Sequence, residues 1–293
     1  MAASTSESSP VRLGDLEVRV LDAGDFFFDG GAMFGAVPKV LWSEFAQPDE
    51  QNRIRLALTL LLVTTPTRTI LVDAGFGTRI TKRMAKIYGC DPGTNVETAL
   101  ASAGRSADDI DVVVLTHLHV DHAGGATKLD GERVVPAFPN ATYVLHRLEW
   151  EAGLAPDPMN ASAYRRDDFV PLEEAGSLEL IGDRHDLGDG VTAFLTGGHT
   201  IGHLAVLVET PDGTLLFPGD LIPSRHHLRT PYVAAVDLFP ADVMKVKAEL
   251  LGRAVEGEWL IVFDHDPGGA LGRVARDSQG RLRFQDVRGP GAA

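Results

Sequence analysis

Three imidazoles and one carboxylate fall within six residues of the run Thr116-His117-Leu118-His119-Val120-Asp121-His122-Ala123-Gly124-Gly125. Packing does not explain such a cluster, because each buried ring must find hydrogen-bond partners. A metal ion does. His117 and His119 lie two apart in an extended turn, point to one side and can bind one ion. Asp121 and His122 then fall where the following turn presents them to a second ion. Four more groups stand just after apolar runs: Asp73 in Leu71-Val72-Asp73-Ala74-Gly75, His199 in Gly197-Gly198-His199-Thr200, Asp220 in Phe217-Pro218-Gly219-Asp220, and His265 in Phe263-Asp264-His265-Asp266. Strand ends on one edge of a sheet converge, so residues spread from 73 to 265 can share a site.

The elements that must position these groups read as two sets of strands with helices between and after them. Leu16 to Leu21, Leu56 to Val63 and Thr69 to Val72 open the chain as strands by their branched and apolar content. Ile80 to Tyr88 and Thr94 to Ala103 carry helical spacing, the second with Thr94 as N-cap, Glu97 closing a capping box and Gly104 as the stop. Asp111 to Thr116 has the continuously apolar centre of a strand buried on both faces, and it runs directly into His117. Thr142 to Leu145, Val191 to Leu195, Leu204 to Val208, Thr214 to Phe217 and Trp259 to Phe263 continue the strands. Ala241 to Val255 reads as a helix, and Val274 to Asp277 with Arg281 to Phe284 as a terminal hairpin. The pattern predicts an α/β fold of two packed sheets with helices outside. One compact unit is expected over 13–286, between an N-terminal tail, 1–12, and a C-terminal tail, 287–293.

Composition narrows the function. The 293 residues carry a net charge of −14, with no block of Lys or Arg to track a phosphate backbone, so nucleic acid and anionic membrane are poor partners. The longest apolar stretch, Leu56 to Val63, is far short of a membrane span. The first ten residues show neither a basic nor an apolar region of a secretory signal. Cys90 is the only cysteine, which excludes an intrachain disulfide and a thiolate metal cage and fits a cytoplasmic location.

The His117 to His122 run, with its four satellites in this order, resembles the metallo-β-lactamase superfamily over roughly residues 15 to 285. The resemblance implies a four-layer αββα sandwich. It also implies a first metal on His117, His119 and His199, a second on Asp121, His122 and His265, and Asp220 bridging both. Asp73 matches a residue that orients the ligands from behind. The segment Asp29 to Trp42, with Gly131-Glu132-Arg133, Phe138-Pro139-Asn140-Ala141 and Asp220-Leu221-Ile222-Pro223, is similar to YtnP-type quorum-quenching lactonases, beside the acyl-homoserine lactonases and the methyl-parathion-hydrolase-like enzymes. Two divalent ions sharing a water generate a hydroxide near neutral pH and polarise the substrate oxygen, so no Ser or Cys nucleophile is required. The expected reaction is attack of that bridging hydroxide on a lactone carbonyl, with Asp121 carrying the proton to the leaving alkoxide. Imidazole and carboxylate ligands suit zinc, the default, and also accept manganese, iron or cobalt.

One departure concerns the residues after Asp220. Acyl-homoserine lactonases of the best-known type place a carbonyl-polarising tyrosine there, and this chain has Leu221-Ile222-Pro223; His226, His227 and Tyr232 are the substitutes open from sequence, with His227 or Tyr232 preferred. Of Phe26, Phe27, Phe28, Met33, Phe34 and Trp42, two or three are expected to pack in the core; the alternative role, for Met33, Phe34 and Trp42, is a flap over the metals or a homodimer contact that receives an acyl chain. His203 is expected to be a hydrogen-bonded support, His146 and Glu149 a helix cap or surface contact, His185 solvated, and Asp264 and Asp266 loop polarity or outer support for His265. An organophosphate triesterase or arylesterase is the alternative on the same chemistry, with a β-lactamase or a non-catalytic binding protein below it. A degenerate binding module would have lost ligands, and all seven are present.

Overall fold

The structure is a computed structural model and describes residues 10–287. Most of the two expected tails lies outside those residues, but the N-terminal boundary moves: Val11–Leu13 is already strand β1. β2 (Leu16–Asp29), β3 (Arg53–Thr64), β4 (Thr69–Val72) and β5 (Val112–Val114) follow. A two-stranded ribbon, β6 (Thr127–Asp130) and β7 (Arg133–Pro136), precedes β8 (Thr142–His146) and β9 (Leu178–Ile181). The first sheet has the order β1-β2-β3-β4-β5-β8-β9, antiparallel up to β4 and parallel beyond it. The second sheet runs in chain order: β10 (Arg184–Gly188), β11 (Val191–Leu195), β12 (Leu204–Thr210), β13 (Gly213–Phe217), β14 (Leu260–Val262), β15 (Leu271–Arg276) and β16 (Leu282–Asp286). β13 and β14 pair parallel, joined through the helix Pro240–Glu256.

Three apolar layers explain why the sheets stack. Alternate residues of β3, β4 and β5 (Leu61, Val63, Ile70, Val72, Val112, Val114) meet Val191, Leu204, Val206, Val208, Leu215 and Val262 between the sheets. The intervening residues of the first sheet, among them Leu60, Leu62, Leu71 and Val113, face its own helices together with Val96, Ala99 and Leu100. On the far side of the second sheet, Ala205, Leu207, Leu216 and Ile261 pack on Val243, Leu250, Leu251 and Ala254 of Pro240–Glu256. Strands buried on both faces read as unbroken apolar runs, which is why the 60–63 and 112–115 segments were legible. At about 1.5–3 kcal/mol for each large aliphatic side chain fully buried, these layers supply the main driving force.

Three elements differ from the sequence expectation. β2 continues to Asp29, because a bulge between Asp22 and Asp25 takes up the break in alternation and the strand resumes with Phe26, Phe27 and Phe28. The helix expected from Thr94 is Val96–Ser102; Asn95 is its N-cap and Thr98, rather than Glu97, closes the capping box. The helix expected from Ile80 begins at Lys82 behind a Thr81 cap. Among the described residues no helix is long and apolar enough to cross a membrane.

Candidate metal centre

The parallel pairs β4-β5 and β13-β14 bring their C-terminal ends to one edge of the sandwich, and the groups picked out above meet there. Asp73 follows β4, the His117–His122 loop follows β5, His199 lies between β11 and β12, Asp220 follows β13 and His265 follows β14. The sheets are tied at this edge by Leu204 N donating to Thr116 O (2.8 Å), Thr59 N to Asp264 O (2.9 Å) and His265 Nδ1 to Ala57 O (2.8 Å). Gly219, at φ +54°, permits the turn that aims Asp220 inward; a Cβ there would lie 2.8 Å from His203 Nε2.

Two groups of ligand atoms result. His117, His119, His199 and Asp220 form one, and His122, Asp220, Asp264 and His265 the other; within each, the atoms lie within 4.8 Å of one another. Asp220 belongs to both. Its Oδ2 is 3.0 Å from His199 Nε2 and 3.7 Å from His117 Nε2, and its Oδ1 is 3.0 Å from His265 Nε2 and 3.6 Å from His122 Nε2. Asp121 Oδ2 stands 3.7 Å from His265 Nε2 and 3.8 Å from His122 Nε2.

The tautomers show what this arrangement fits. The Ala57 carbonyl can only accept, so His265 Nδ1 carries a proton. Asp73 Oδ2 accepts from His122 Nδ1 at 2.9 Å and Asp237 Oδ1 from His199 Nδ1 at 2.8 Å, which places protons on those nitrogens too. In the neutral rings the Nε2 lone pairs then point inward: His122 and His265 face each other at 3.2 Å, and His199 Nε2 faces His119 Nδ1 at 3.1 Å. Lone pairs that close repel unless positive charge lies between them. His117 Nε2 and Asp220 Oδ1 are also buried without a hydrogen-bond partner. Imidazole nitrogens backed by carboxylate or carbonyl acceptors are the usual dress of a divalent-metal site, and these residues fit one.

The electrostatics agree. Burial and the neighbouring histidines hold His117 well below the ordinary histidine value, and burial and His199 do the same for His119. Burial also opposes a charge on His122 and His199, but Asp220, Asp121 and Asp73 push the first up to about 9, and Asp220 and Asp237 the second up to about 10. Against its own burial, Asp220 is held well below the carboxylate range by His199, His122 and His265. The carboxylates call for positive charge at the centre of the cluster.

Asp73 reaches beyond His122: it accepts from Thr116 N at 2.8 Å and from Thr116 Oγ1, fixing the start of the histidine loop. His203 packs behind His117, ring centroids 5.2 Å apart, with its Nδ1 2.6 Å from Thr196 Oγ1. Beside the cluster lies a cavity of about 140 Å³ with an apolar wall of Phe26, Phe28, Met33, Leu56, Tyr88 and Met159 and a polar floor that includes Asp121, Asp220 and His265.

Several expected residues are elsewhere. His227 is buried with both nitrogens engaged, Nδ1 with Ser224 Oγ at 2.8 Å and Nε2 with Met33 O at 3.0 Å, and its ring stacks on Phe34. The Tyr232 hydroxyl accepts from Arg229 at 3.1 Å, and its ring packs on Phe34 and Phe45. Neither lines the cavity, so neither takes the place expected of it after Asp220. Of the three expected cover residues only Met33 lines the cavity. Trp42 is core, stacked on Phe34 and filling the space above Gly30, while Phe34 lines a separate recess of about 410 Å³.

Sequence reasoning missed three groups. Asp237 backs His199. Tyr88, the phenol on the cavity wall, is pushed up to about 12 by burial and by Asp121, which keeps it a donor. Glu149 is no surface contact: fully buried, it accepts from Leu118 N (3.0 Å), Thr200 Oγ1 (2.5 Å) and Tyr164 Oη (3.0 Å), tying the His117–His119 segment to the residue after His199. His146, by contrast, caps the helix Arg147–Leu154, accepting from Leu148 N. The only advance signal for Glu149 was its place two residues into a helix that starts where β8 ends.

Residues 53–265 match the family profile described as metallo-beta-lactamase superfamily. The chain belongs to this superfamily. The α/β architecture read from the sequence is thus that of a superfamily member. The structure is similar to that of a probable metal-dependent hydrolase from Staphylococcus aureus, with a TM-score of 0.87 and 27% identity over 96% of this chain and 100% of that one. In sequence it is 29% identical over 173 residues to the N-acyl homoserine lactonase AttM of Rhizobium radiobacter, covering 57% of this chain and 62% of the relative. It is 32% identical over 111 residues to an N-acyl homoserine lactonase of Bacillus thuringiensis, covering 38% of each. The chain therefore spans about three-fifths of the length of the first of these curated relatives. A fold match at 20% identity, with a TM-score of 0.77 over 95% of this chain, is AidC, a dizinc quorum-quenching lactonase with a bound product.

Proposed function

We propose that the protein is a metal-dependent hydrolase that opens a lactone ring of the acyl-homoserine-lactone type at a centre of two divalent cations, zinc by default. The observation that carries this reading is the pair of His/Asp groups sharing Asp220 at the floor of an apolar-walled cavity. The N-acyl homoserine lactonases among the sequence relatives support the substrate class.

In this reading His117, His119 and His199 hold the first cation, His122 and His265 with Asp121 the second, and Asp220 both. Two cations held there would supply Lewis acidity and would bring the pKa of a water toward neutrality. The chain does the rest. Asp73, Asp237 and the Ala57 carbonyl hold the ring tautomers that turn lone pairs inward. Asp121 lies on the cavity floor and is only partly buried, so it can take the proton released as the water attacks and pass it to the alkoxide as the ring C–O bond breaks. The product is a ring-opened hydroxy acid. Tyr88 stays protonated at neutral pH and donates to the substrate carbonyl, the role left vacant at Leu221-Ile222-Pro223. Phe26, Phe28, Met33, Leu56 and Met159 receive the acyl chain, whose burial contributes about 0.8 kcal/mol per methylene.

The test is proton release from a panel of acyl-homoserine lactones and γ/δ-lactones, with paraoxon-type esters and a β-lactam alongside, using protein loaded separately with zinc, manganese or cobalt. Lactone opening well above the ester rates is expected. Fast ester turnover with inert lactones would overturn the substrate class.

A further inference from the structure

Asp264 and Asp266 flank His265, and the structure treats them differently. Asp266 is paired: Oδ2 accepts from Arg225 N at 2.8 Å and from Arg225 Nε at 2.7 Å, while Oδ1 accepts from Gly268 N. Asp264 is 1% exposed, and both carboxylate oxygens are without a hydrogen-bond partner among the described residues. No Lys or Arg forms an ion pair with it among the described residues; the charged groups it faces are the His265 ring, 3.9 Å from Oδ2, the His122 ring and the Asp220 carboxylate. Without a cation, burial and the facing Asp220 carboxylate disfavour the charged form of Asp264, opposed only by the His265 and His122 rings; a divalent ion placed among these four groups would compensate both carboxylates at once. An ion fits among these neighbours: the Asp264 oxygen lies within 4.8 Å of the ligand atoms of His122, His265 and Asp220, a spacing that suits four donors around one ion. The backbone is fixed to deliver it, since Asp264 O accepts from Thr59 N and Asp264 follows β14 by two residues.

We propose that Asp264 is a further ligand of the second cation, reaching it from the protein side while Asp121 faces the cavity. This rests on the two-cation reading above. The two sites then differ in chemistry. The first has three imidazoles and one shared carboxylate. The second has two imidazoles and the carboxylates of Asp220, Asp264 and Asp121, a set richer in oxygen that shifts relative preference toward manganese or ferrous iron.

The experiment is equilibrium dialysis of the full-length protein against buffered Zn²⁺ and, separately, Mn²⁺, with metal content read by mass spectrometry, for wild type, Asp264→Asn and Asp266→Asn. Wild type is expected to hold two ions per chain. Asp264→Asn is expected to hold one under the same conditions and to bind the second at least tenfold more weakly, with Mn²⁺ lost more than Zn²⁺; Asp266→Asn keeps both ions. Thermal melting without metal separates ligation from folding. Because the Asp264 oxygens accept no hydrogen bond among the described residues and face His265 only at 3.9 Å, metal-free Asp264→Asn is expected to melt close to wild type, whereas a carboxylate that fixed the loop by hydrogen bonds would lower the melt clearly. Two ions held by Asp264→Asn at wild-type affinity would overturn the assignment and leave the proposed activity standing. A wild-type protein that holds only one ion would overturn both, and lactone opening, measured separately, bears on the activity alone.

Discussion

Glu149 makes a quantitative test of how the first ligand group is held together. Replacing it with alanine takes the acceptor from three donors at once: the Leu118 amide between two metal-facing histidines, the Thr200 hydroxyl beside a third, and the Tyr164 hydroxyl. The hydroxyls can rotate to other partners, but the buried amide cannot, and an orphaned donor costs about 1–3 kcal/mol. The missing carboxyethyl group leaves a void beside Leu118 and Thr200 that adds to this. Part of the loss is recovered, because burial pushes the Glu149 carboxyl above its ordinary value and so disfavours its charged form. A net loss of about 3 kcal/mol is expected for Glu149→Ala, which for a domain of this size lowers Tm by roughly 6–12 °C. Glu149→Gln keeps the shape and an oxygen for the Leu118 amide while its NH2 faces a rotatable hydroxyl, so it costs at most about 1 kcal/mol. Metal affinity should follow the same order: a loss of roughly 10–100-fold in the alanine variant, as when other residues supporting ligands are removed, and near wild type in the glutamine variant. Calorimetry and metal titration on the three proteins decide it. If alanine melts within roughly 2 °C of wild type, or glutamine falls as far as alanine, the clamp is not what holds these loops.

Asp220→Ala removes the one residue shared by both ligand groups, so metal content and activity should fall together; full lactone turnover by a metal-depleted Asp220→Ala protein would end the mechanism. Tyr88→Phe should lower kcat roughly 100–1,000-fold with metal content unchanged, the scale of losing one donor to a developing oxyanion, and an unaltered kcat would remove the phenol from the reaction. Lys247 is buried and donates to Tyr232 O at 2.5 Å, and burial lowers its pKa from 10.5 to about 8 against the pull of Asp237. Since the folded value lies below the unfolded one, the folded state bears the penalty in full below about pH 8, ~3 kcal/mol at about 1.4 kcal/mol per pH unit, and sheds it between about 8 and 10.5. Denaturant melts should therefore show Lys247→Met at its best relative to wild type at pH 7 and losing that ground by pH 10.5; a constant difference across that range would contradict the assignment.

What could be read in advance divides along physical lines. A spacing that suits a metal declares itself, because packing does not explain imidazoles at i, i+2 and i+5 with a carboxylate between, so His117, His119, Asp121 and His122 are candidates from sequence alone. Asp73, His199, Asp220 and His265 were visible because each follows an apolar run. Groups that act through one contact carry no such pattern. Asp237 is a lone acid 38 residues beyond the ring it supports, and Tyr88 ends a helix whose sequence says nothing of the cavity it faces. Aromatic character misled in the other direction: Trp42 and Phe34 are large and near the predicted cover, but filling the core contributes more stability than lining a cavity, and Phe26 and Phe28 reach the cavity only because β2 continues through its bulge.

The centre is divided between the two sheets, and this links metal binding to the packing of the sandwich. His117, His119 and His122 descend from the first sheet; His199, Asp220 and His265 descend from the second. The facing nitrogen pairs, His119 with His199 and His122 with His265, each cross the interface, at 3.1 and 3.2 Å. A cation between such a pair is therefore a bond between sheets, and any separation of the sheets lengthens it. Binding that belongs to the folded state alone stabilises by RT ln(1 + [L]/Kd), about 2.7 kcal/mol per site at a hundredfold excess over Kd. A cavity opened between the sheets, as by Val206→Ala in the layer they share, lowers the stability of the folded state that presents these groups. A cation bound by the folded state alone would therefore raise the melting temperature, while a variant that loosens the layer between the sheets should lower it and weaken apparent metal binding only as the binding-competent fraction falls.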